Sequence, residues 1–175
     1  MKSGKRLFVA LWPDMQSRNQ ISEVQKQAKI TSGLMAGAVA YENLHMTLQF
    51  LGEVPMSAIT RIESHLTCES VPPFHIVLDC WGHFSKSGIL WLGSSEQVEA
   101  LQYLHSNVVK ATGNSLKSGK DKIYKPHVTL FRKVDHLPRV ESFTPVEWLI
   151  DRFVLVESTM HPDGVKYRVL QEYLF

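Results

Sequence analysis

The chain has 175 residues, of which 44% are hydrophobic and 21% are charged, and its formal net charge is +2. These values are ordinary for a soluble globular protein, and the length fits one domain or two small lobes that share a core. The nearly balanced charge gives no reason to expect a large basic surface, so a nucleic-acid partner would be held at an end or a small site.

Cysteine content and hydropathy indicate the compartment in which the protein is expected. Cys68 and Cys80 are the only cysteines and have no metal-site spacing, so we expect reduced thiols rather than a disulfide scaffold. The apolar run Leu7–Trp12 is shorter than a secretory core and ends at Pro13. No stretch approaches the length of a membrane-spanning helix. We therefore expect a cytoplasmic protein with no membrane partner.

Hydrophobic periodicity predicts strands and helices in mixed order. Strands are predicted over residues 7–12, 43–52, 74–80, 89–92, 126–131, 146–157 and 165–170. Helices are predicted over residues 14–30, 55–66 and 96–110, the last capped by Ser94 or Ser95. A hairpin turn at 84–88 and a turn at 162–164 separate strands, and residues 112–125 form a polar loop. This order favours an α+β fold with an antiparallel sheet.

One short pattern occurs twice, as His45–Leu48 and as His127–Leu130. Each copy is histidine, an apolar residue, threonine and leucine. Because side chains alternate along a strand, the histidine and threonine of each copy share one face, while the apolar residues point the other way. In the first copy this alternation also predicts that Phe50 faces the core.

The repeated pattern favours proton transfer at an anionic oxygen. Imidazole takes up and releases protons near neutral pH, so one ring can act as base while the other acts as acid. A threonine hydroxyl can hold a non-bridging phosphate oxygen. The structural alternative is two half-buried strands in which each histidine and threonine only satisfy each other's hydrogen-bonding groups. Zinc is disfavoured, because no cysteine or carboxylate lies at a ligand spacing such as H-E-x-x-H. We expect no metal and no cofactor.

The two motifs resemble those of the two-histidine phosphoesterase superfamily. Within it the chain is similar to the bacterial RNA 2′,3′-cyclic phosphodiesterases, also called 2′-5′ RNA ligases. Arg6–Leu11 resembles the first strand of that family and Ile89–Gly93 its middle strand, so the resemblance covers nearly the whole chain in order. It implies a single bilobal domain over residues 1–175, with two similar lobes of antiparallel sheet and helices around a central cleft.

The resemblance also implies an activity and residue roles. The activity is metal-independent hydrolysis of RNA 2′,3′-cyclic phosphate ends to 2′-phosphates. His45 would be the proton donor to the leaving oxygen and His127 the proton acceptor, although the residues alone leave these two roles exchangeable. Thr47 and Thr129 would bind phosphate oxygens. Arg132 would add positive charge there, yet on an unbroken strand it would point away from His127 and Thr129.

The remaining predictions concern the RNA. Phe84 and Trp91 are candidates for stacking a terminal base, with core packing as the alternative. Lysines 117, 120, 122 and 125 could attract a backbone or simply be solvated. We expect a monomer whose partners are RNA ends with a cyclic phosphate, tRNA halves among them. Alternatives are ATP-independent 2′-5′ ligation, hydrolysis of small cyclic nucleotides or ADP-ribose cyclic phosphate, and a non-catalytic RNA-end binding module.

Overall fold

The structure, a computed structural model, describes residues 4–34, 37–66, 71–113 and 124–175. Over these ranges it contains ten strands and three helices. The strands are β1 (Gly4–Leu11), β2 (Gly37–Ala38), β3 (Met46–Pro55), β4 (Phe74–Leu78), β5 (Cys80–Phe84), β6 (Ile89–Gly93), β7 (Val128–Arg132), β8 (Val146–Ile150), β9 (Arg152–His161) and β10 (Gly164–Leu174). The helices are α1 (Met15–Ser32), α2 (Met56–His65) and α3 (Glu99–Thr112), and a 3₁₀ turn spans Tyr41–Asn43.

The main sheet runs in the order β10-β9-β1-β3-β7-β6-β5, with β2 also paired to β7. β4 and β8 form a separate two-stranded sheet. All of these pairs are antiparallel, which confirms the predicted α+β class. The two halves of the main sheet, β10-β9-β1-β3 and β7-β6-β5, meet at one residue pair, Met46 opposite Val128. This layout is compatible with two lobes, while the single bilobal domain over residues 1–175 stays a prediction.

Both faces of the central strand β1 are buried. Leu7, Val9 and Leu11 point into the large core beneath the sheet, and Ile21 of α1 contributes to the same core. On the opposite face, a smaller cluster of buried residues is formed by Phe8, Ala10, Val154 and Val156, with Trp12, Tyr167 and Val169 packed against it. This second cluster lies on the face that carries the histidine of the first motif.

The first motif strand carries a bulge directly after its threonine. In the pairing of β1 with β3, successive residues of β1 lie opposite Thr47 and Gln49, so Leu48 is the extra residue. A bulge shifts the alternation by one position. The prediction that Phe50 faces the core is therefore wrong: Phe50 is 63% exposed and returns to the face of Thr47.

The second motif strand carries the same irregularity. Successive residues of β6 lie opposite Thr129 and Phe131, so Leu130 is the extra residue in β7. Leu130 and Phe131 are both buried, and Arg132 is exposed. The bulge brings Arg132 to the face of Thr129, which removes the conflict between strand alternation and a role for Arg132 beside the histidine.

Among the predicted boundaries that differ from the structure, two have a clear local cause. α3 begins at Glu99, and neither Ser94 nor Ser95 caps it. Ser95 instead donates to the carboxylate of Asp79, from its backbone nitrogen at 2.7 Å and its hydroxyl at 2.6 Å. The strand predicted over residues 146–157 is two strands, because the chain leaves β8 at Asp151 and enters the main sheet as β9.

Some predictions fall outside the described residues. Cys68 and lysines 117, 120 and 122 lie there, whereas Cys80 is described and is a free thiol. Across the described ranges, no helix is both long enough and apolar enough to cross a membrane.

Gln25 of α1 holds the second bulge in place. Its side chain is only 8% exposed. Its amide Nε2 donates to the carbonyl of Leu130 at 2.7 Å and to the carbonyl of Val39 at 3.0 Å. The backbone nitrogen of Val39 also donates to the Leu130 carbonyl, at 2.8 Å. One helix side chain thus gives the carbonyl of the bulge residue Leu130 a second donor and ties it to Val39.

We expect Gln25→Met to lower the free energy of unfolding by about 1–3 kcal/mol, because it keeps the side-chain volume but removes both donated hydrogen bonds. Urea titration followed by circular dichroism measures the change. Gln27→Met is the matched control, since Gln27 is exposed on the same helix. Equal stability of the two variants would show that Gln25 does not hold the bulge.

Candidate active site

The two histidines occupy equivalent positions, each immediately before its strand. The ring nitrogen Nδ1 of His45 lies 2.6 Å from the carbonyl oxygen of Asn43. Nδ1 of His127 lies 2.7 Å from the carbonyl oxygen of Lys125. A carbonyl only accepts, so Nδ1–H is the donor in both rings and Nε2 is left as the atom that exchanges a proton.

The first motif is held by contacts on either side of the ring. The side-chain amide of Asn43 donates to the carbonyl of Val165 at 3.1 Å, which fixes the peptide that receives the Nδ1–H of His45. Nε2 of His45 lies 3.1 Å from the hydroxyl oxygen of Thr47. This contact places His45 and Thr47 on one face, as strand alternation predicts.

Aromatic rings surround His45. Its ring centroid lies 5.0 Å from that of Phe8, 5.3 Å from Tyr167 and 5.5 Å from Trp12, and the Trp12 ring is stacked on the imidazole at 19°. None of these three rings was predicted from the sequence as part of the site. Phe8 and Trp12 are four positions apart, so strand alternation puts them on one face, which is a weak signal. Tyr167 gives no local signal, because only the pairing of β9 with β1 brings the last hairpin close.

His127 rests on a second aromatic group. Its ring lies 4.9 Å from Phe84, edge to face, and 5.9 Å from Trp91. Trp91 is 4% exposed, and the ammonium nitrogen of Lys125 lies 4.7 Å from its ring centroid. Trp91 lies across Gly82, where a Cβ would fall within its ring atoms. Phe84 and Trp91 are therefore both beside His127, and their predicted role in base stacking stays a prediction.

Burial sets the protonation of both imidazoles. It lowers the pKa of His45 to about 4, helped by the positive charges of Arg132 and His127 and opposed by the bond to the Asn43 carbonyl. Burial also lowers the pKa of His127, with further contributions from the charges of Lys125 and Arg132. The charge of Arg132 thus acts on both rings, and near neutral pH the unoccupied protein holds two neutral imidazoles.

Other histidines have structural partners. Nε2 of His83 lies 2.8 Å from the carbonyl of Val134, and the His105 ring stacks on Tyr124. Among the described side chains, no group of three or more histidine, cysteine, aspartate or glutamate residues is placed to hold a metal ion. The candidate site residues offer two imidazoles, two threonine hydroxyls and one guanidinium, a set that suits proton transfer at a bound anion.

Comparison with known proteins finds similarity over most of the chain. The family model described as the 2′-5′ RNA ligase superfamily matches residues 13–161. An RNA 2′,3′-cyclic phosphodiesterase of Thermotoga maritima is 32% identical, over 97% of this chain and 95% of that protein. One from Archaeoglobus fulgidus is 33% identical, over 95% of this chain and 98% of that protein. The crystal structure of Escherichia coli LigT complexed with ATP matches the fold with a TM-score of 0.82, at 24% identity and 98% coverage of both chains.

Gly82→Ala tests the support beneath His127. We expect a loss of about 2 kcal/mol or more in the free energy of unfolding and a shift in tryptophan fluorescence, because the added methyl group displaces the Trp91 ring. Gly37→Ala is the control, since a Cβ there meets nothing closer than 3.9 Å. A stable Gly82→Ala variant with an unchanged emission spectrum would contradict the packing described above.

Proposed function

The chain belongs to the 2′-5′ RNA ligase superfamily, and from this premise we propose that it hydrolyses 2′,3′-cyclic phosphate ends of RNA to 2′-phosphomonoesters without a metal. The observation that carries the proposal is the pair of imidazoles whose Nδ1–H groups are tied to backbone carbonyls. Each ring presents Nε2 as its exchanging nitrogen. The names of the Thermotoga and Archaeoglobus relatives give the substrate class.

In the proposed reaction the cyclic phosphate lies between the two motifs. Nε2 of His127 accepts a proton from water as the water oxygen forms a bond to phosphorus. The bond from phosphorus to the 3′-oxygen breaks, and Nε2 of His45 donates its proton to that oxygen. The product keeps the phosphate on the 2′-oxygen, and proton exchange with solvent restores the two rings. The choice of His45 as donor and His127 as acceptor follows the family resemblance.

Binding of the substrate supplies the charge that the donor needs. Both imidazoles have lowered pKa values in the unoccupied protein. A phosphodiester carries one negative charge, and an opposite charge within a few ångströms raises the pKa of an imidazole. The bound anion therefore favours protonation of one ring at the moment when a proton donor is required.

The other site residues hold the phosphate and its nucleoside. Thr47 and Thr129 donate hydroxyl hydrogens to the non-bridging oxygens, and Arg132 adds positive charge from the bulged end of β7. For base stacking, Trp91 offers little free surface at 4% exposure, whereas Phe50 offers 63% on the face of His45. Stacking on aromatic rings is sequence-tolerant, which suits an enzyme that acts on RNA ends.

The finer parts of the proposal rest on chemistry and resemblance. The protein acts as a monomer in the cytoplasm. Its partners are RNA ends with a cyclic phosphate, tRNA halves among them. ATP-independent joining of two RNA ends through a 2′-5′ linkage uses the same residues, with the 5′-hydroxyl of the second RNA replacing water as the nucleophile while the bond to the 3′-oxygen breaks. The superfamily description favours this reaction as the second candidate. Incubation with two RNA halves and analysis of the products separates the two activities.

We expect wild-type protein to convert a short RNA with a 2′,3′-cyclic phosphate end to the 2′-phosphate in the presence of EDTA. His45→Ala and His127→Ala should each lower kcat at least about 100-fold, because each removes a general acid or base. Product analysis by chromatography and phosphatase sensitivity measures both results. His65→Ala, at the exposed end of α2, serves as the matched control.

Three outcomes would contradict the proposal. If wild type does not turn over the RNA but turns over a small cyclic nucleotide, the substrate is a small cyclic nucleotide rather than an RNA end. Loss of turnover in EDTA with recovery on adding a metal would overturn the metal-free mechanism. If the protein binds the RNA end but shows no turnover at all, it is a non-catalytic binding module.

The lowered pKa values also predict a pH profile. Because kcat/KM reports the unoccupied protein, its maximum should lie below pH 6.5, the ordinary pKa of histidine. Above that pH both rings lose their protons, and kcat/KM should fall roughly tenfold per pH unit. The profile of kcat should lie at higher pH, since the bound anion raises the donor's pKa. A flat kcat/KM from about pH 5 to 9 would argue against a two-histidine mechanism.

A further inference from the structure

Very little backbone pairing fixes the distance between the two motifs. β3 and β7 carry one motif each, and they share the single residue pair Met46 and Val128. A proton donor and a proton acceptor on opposite sides of one phosphorus atom need a fixed separation. That pair directly follows the two histidines, and any further contact between the motifs restricts their separation more closely.

Tyr124 makes such a contact from one motif to the other. It lies three residues before His127, on the segment that leads into the second motif. Its phenol hydroxyl donates to the backbone carbonyl of Thr47 at 3.0 Å. The side chain therefore starts beside the second histidine and ends on the backbone of the first motif.

The Tyr124 ring is itself held in place. The His105 ring of α3 stacks on it with centroids 3.9 Å apart and planes 4° from parallel. Burial raises the pKa of Tyr124, so its hydroxyl keeps its proton and remains a donor at the pH of the reaction. Burial lowers the pKa of His105, so the stacked ring is neutral near pH 7 and adds no charge.

We propose that Tyr124 is a positioning residue: the hydrogen bond of its hydroxyl to the Thr47 carbonyl, with the ring clamped by His105, sets the separation of the two catalytic histidines. In the proposed reaction Tyr124 neither binds the phosphate nor moves a proton. It acts through the backbone of Thr47 and through the short segment that it shares with His127. The kinetic consequence rests on the proposed function, whereas the geometric consequence does not.

Tyr124→Phe is the sharpest test, because it keeps the stacked ring and removes only the hydroxyl. We expect kcat to fall roughly tenfold while KM stays within about twofold, since misplacing catalytic groups weakens the transition state more than binding. Tyr173→Phe is the matched control: it removes a phenol hydroxyl that donates to the backbone carbonyl of Glu63 at 3.3 Å, on α2. Urea unfolding at the assay temperature confirms that both variants are folded.

A second readout does not depend on activity. Titration of the histidine Cε1–H signals by NMR follows both rings, and the charge of His127 contributes to the pKa of His45. Tyr124→Phe should shift the titration curves of both histidines, and Tyr173→Phe should shift neither. If Tyr124→Phe does not fold, His105→Ala reports on the same clamp, with the same loss in kcat at constant KM.

The results separate the two proposals. If wild type turns over and Tyr124→Phe keeps its kcat within twofold, the positioning role is overturned while the proposed function stands. If wild type does not turn over, the proposed function fails and the NMR titration decides the positioning role. In that case, titration curves that superimpose on those of wild type overturn it, and shifts confined to Tyr124→Phe support it.

Discussion

A single extra residue after each threonine decides which side chains share a face with the two histidines. A regular strand would present every second side chain to the cleft, so the third position after the threonine would be buried. With Leu48 and Leu130 as bulges, two consecutive residues face the core, and the next returns to the cleft. Each motif thereby gains a third cleft residue without losing the apolar backing that holds its strand in the sheet.

The same bulge brings different side chains beside the histidine in the two halves of the sheet. In the first half the third residue is Phe50, and Phe8, Trp12 and Tyr167 line the histidine. In the second half it is Arg132, with the ammonium group of Lys125 nearby over Trp91. The surroundings of the first histidine are thus aromatic, and those of the second combine aromatic rings with cations.

Local pattern was enough for some features and not for others. Strand alternation placed His45 with Thr47, because it acts over two residues and no bulge intervenes. It failed for Phe50, and it left Arg132 in doubt, because a bulge is a property of two paired strands and depends on the partner's register. Tyr167 was missed because the chain order does not show that β9 lies beside β1. The start of α3 was misplaced because Ser95 binds Asp79, a residue 16 positions earlier.

The junction at Met46 and Val128 has a consequence for how such a cleft changes over evolution. Along a continuous ladder, the spacing of neighbouring strands is fixed by backbone hydrogen bonds that every sequence makes alike. At this junction only one pair is fixed in that way, so the spacing of the two motifs also depends on side-chain contacts such as that of Tyr124 with the Thr47 carbonyl. Substitution of such side chains can therefore change that spacing while both motifs stay unchanged. Evolution can thus alter the distance between the two histidines without altering the residues that carry out the chemistry.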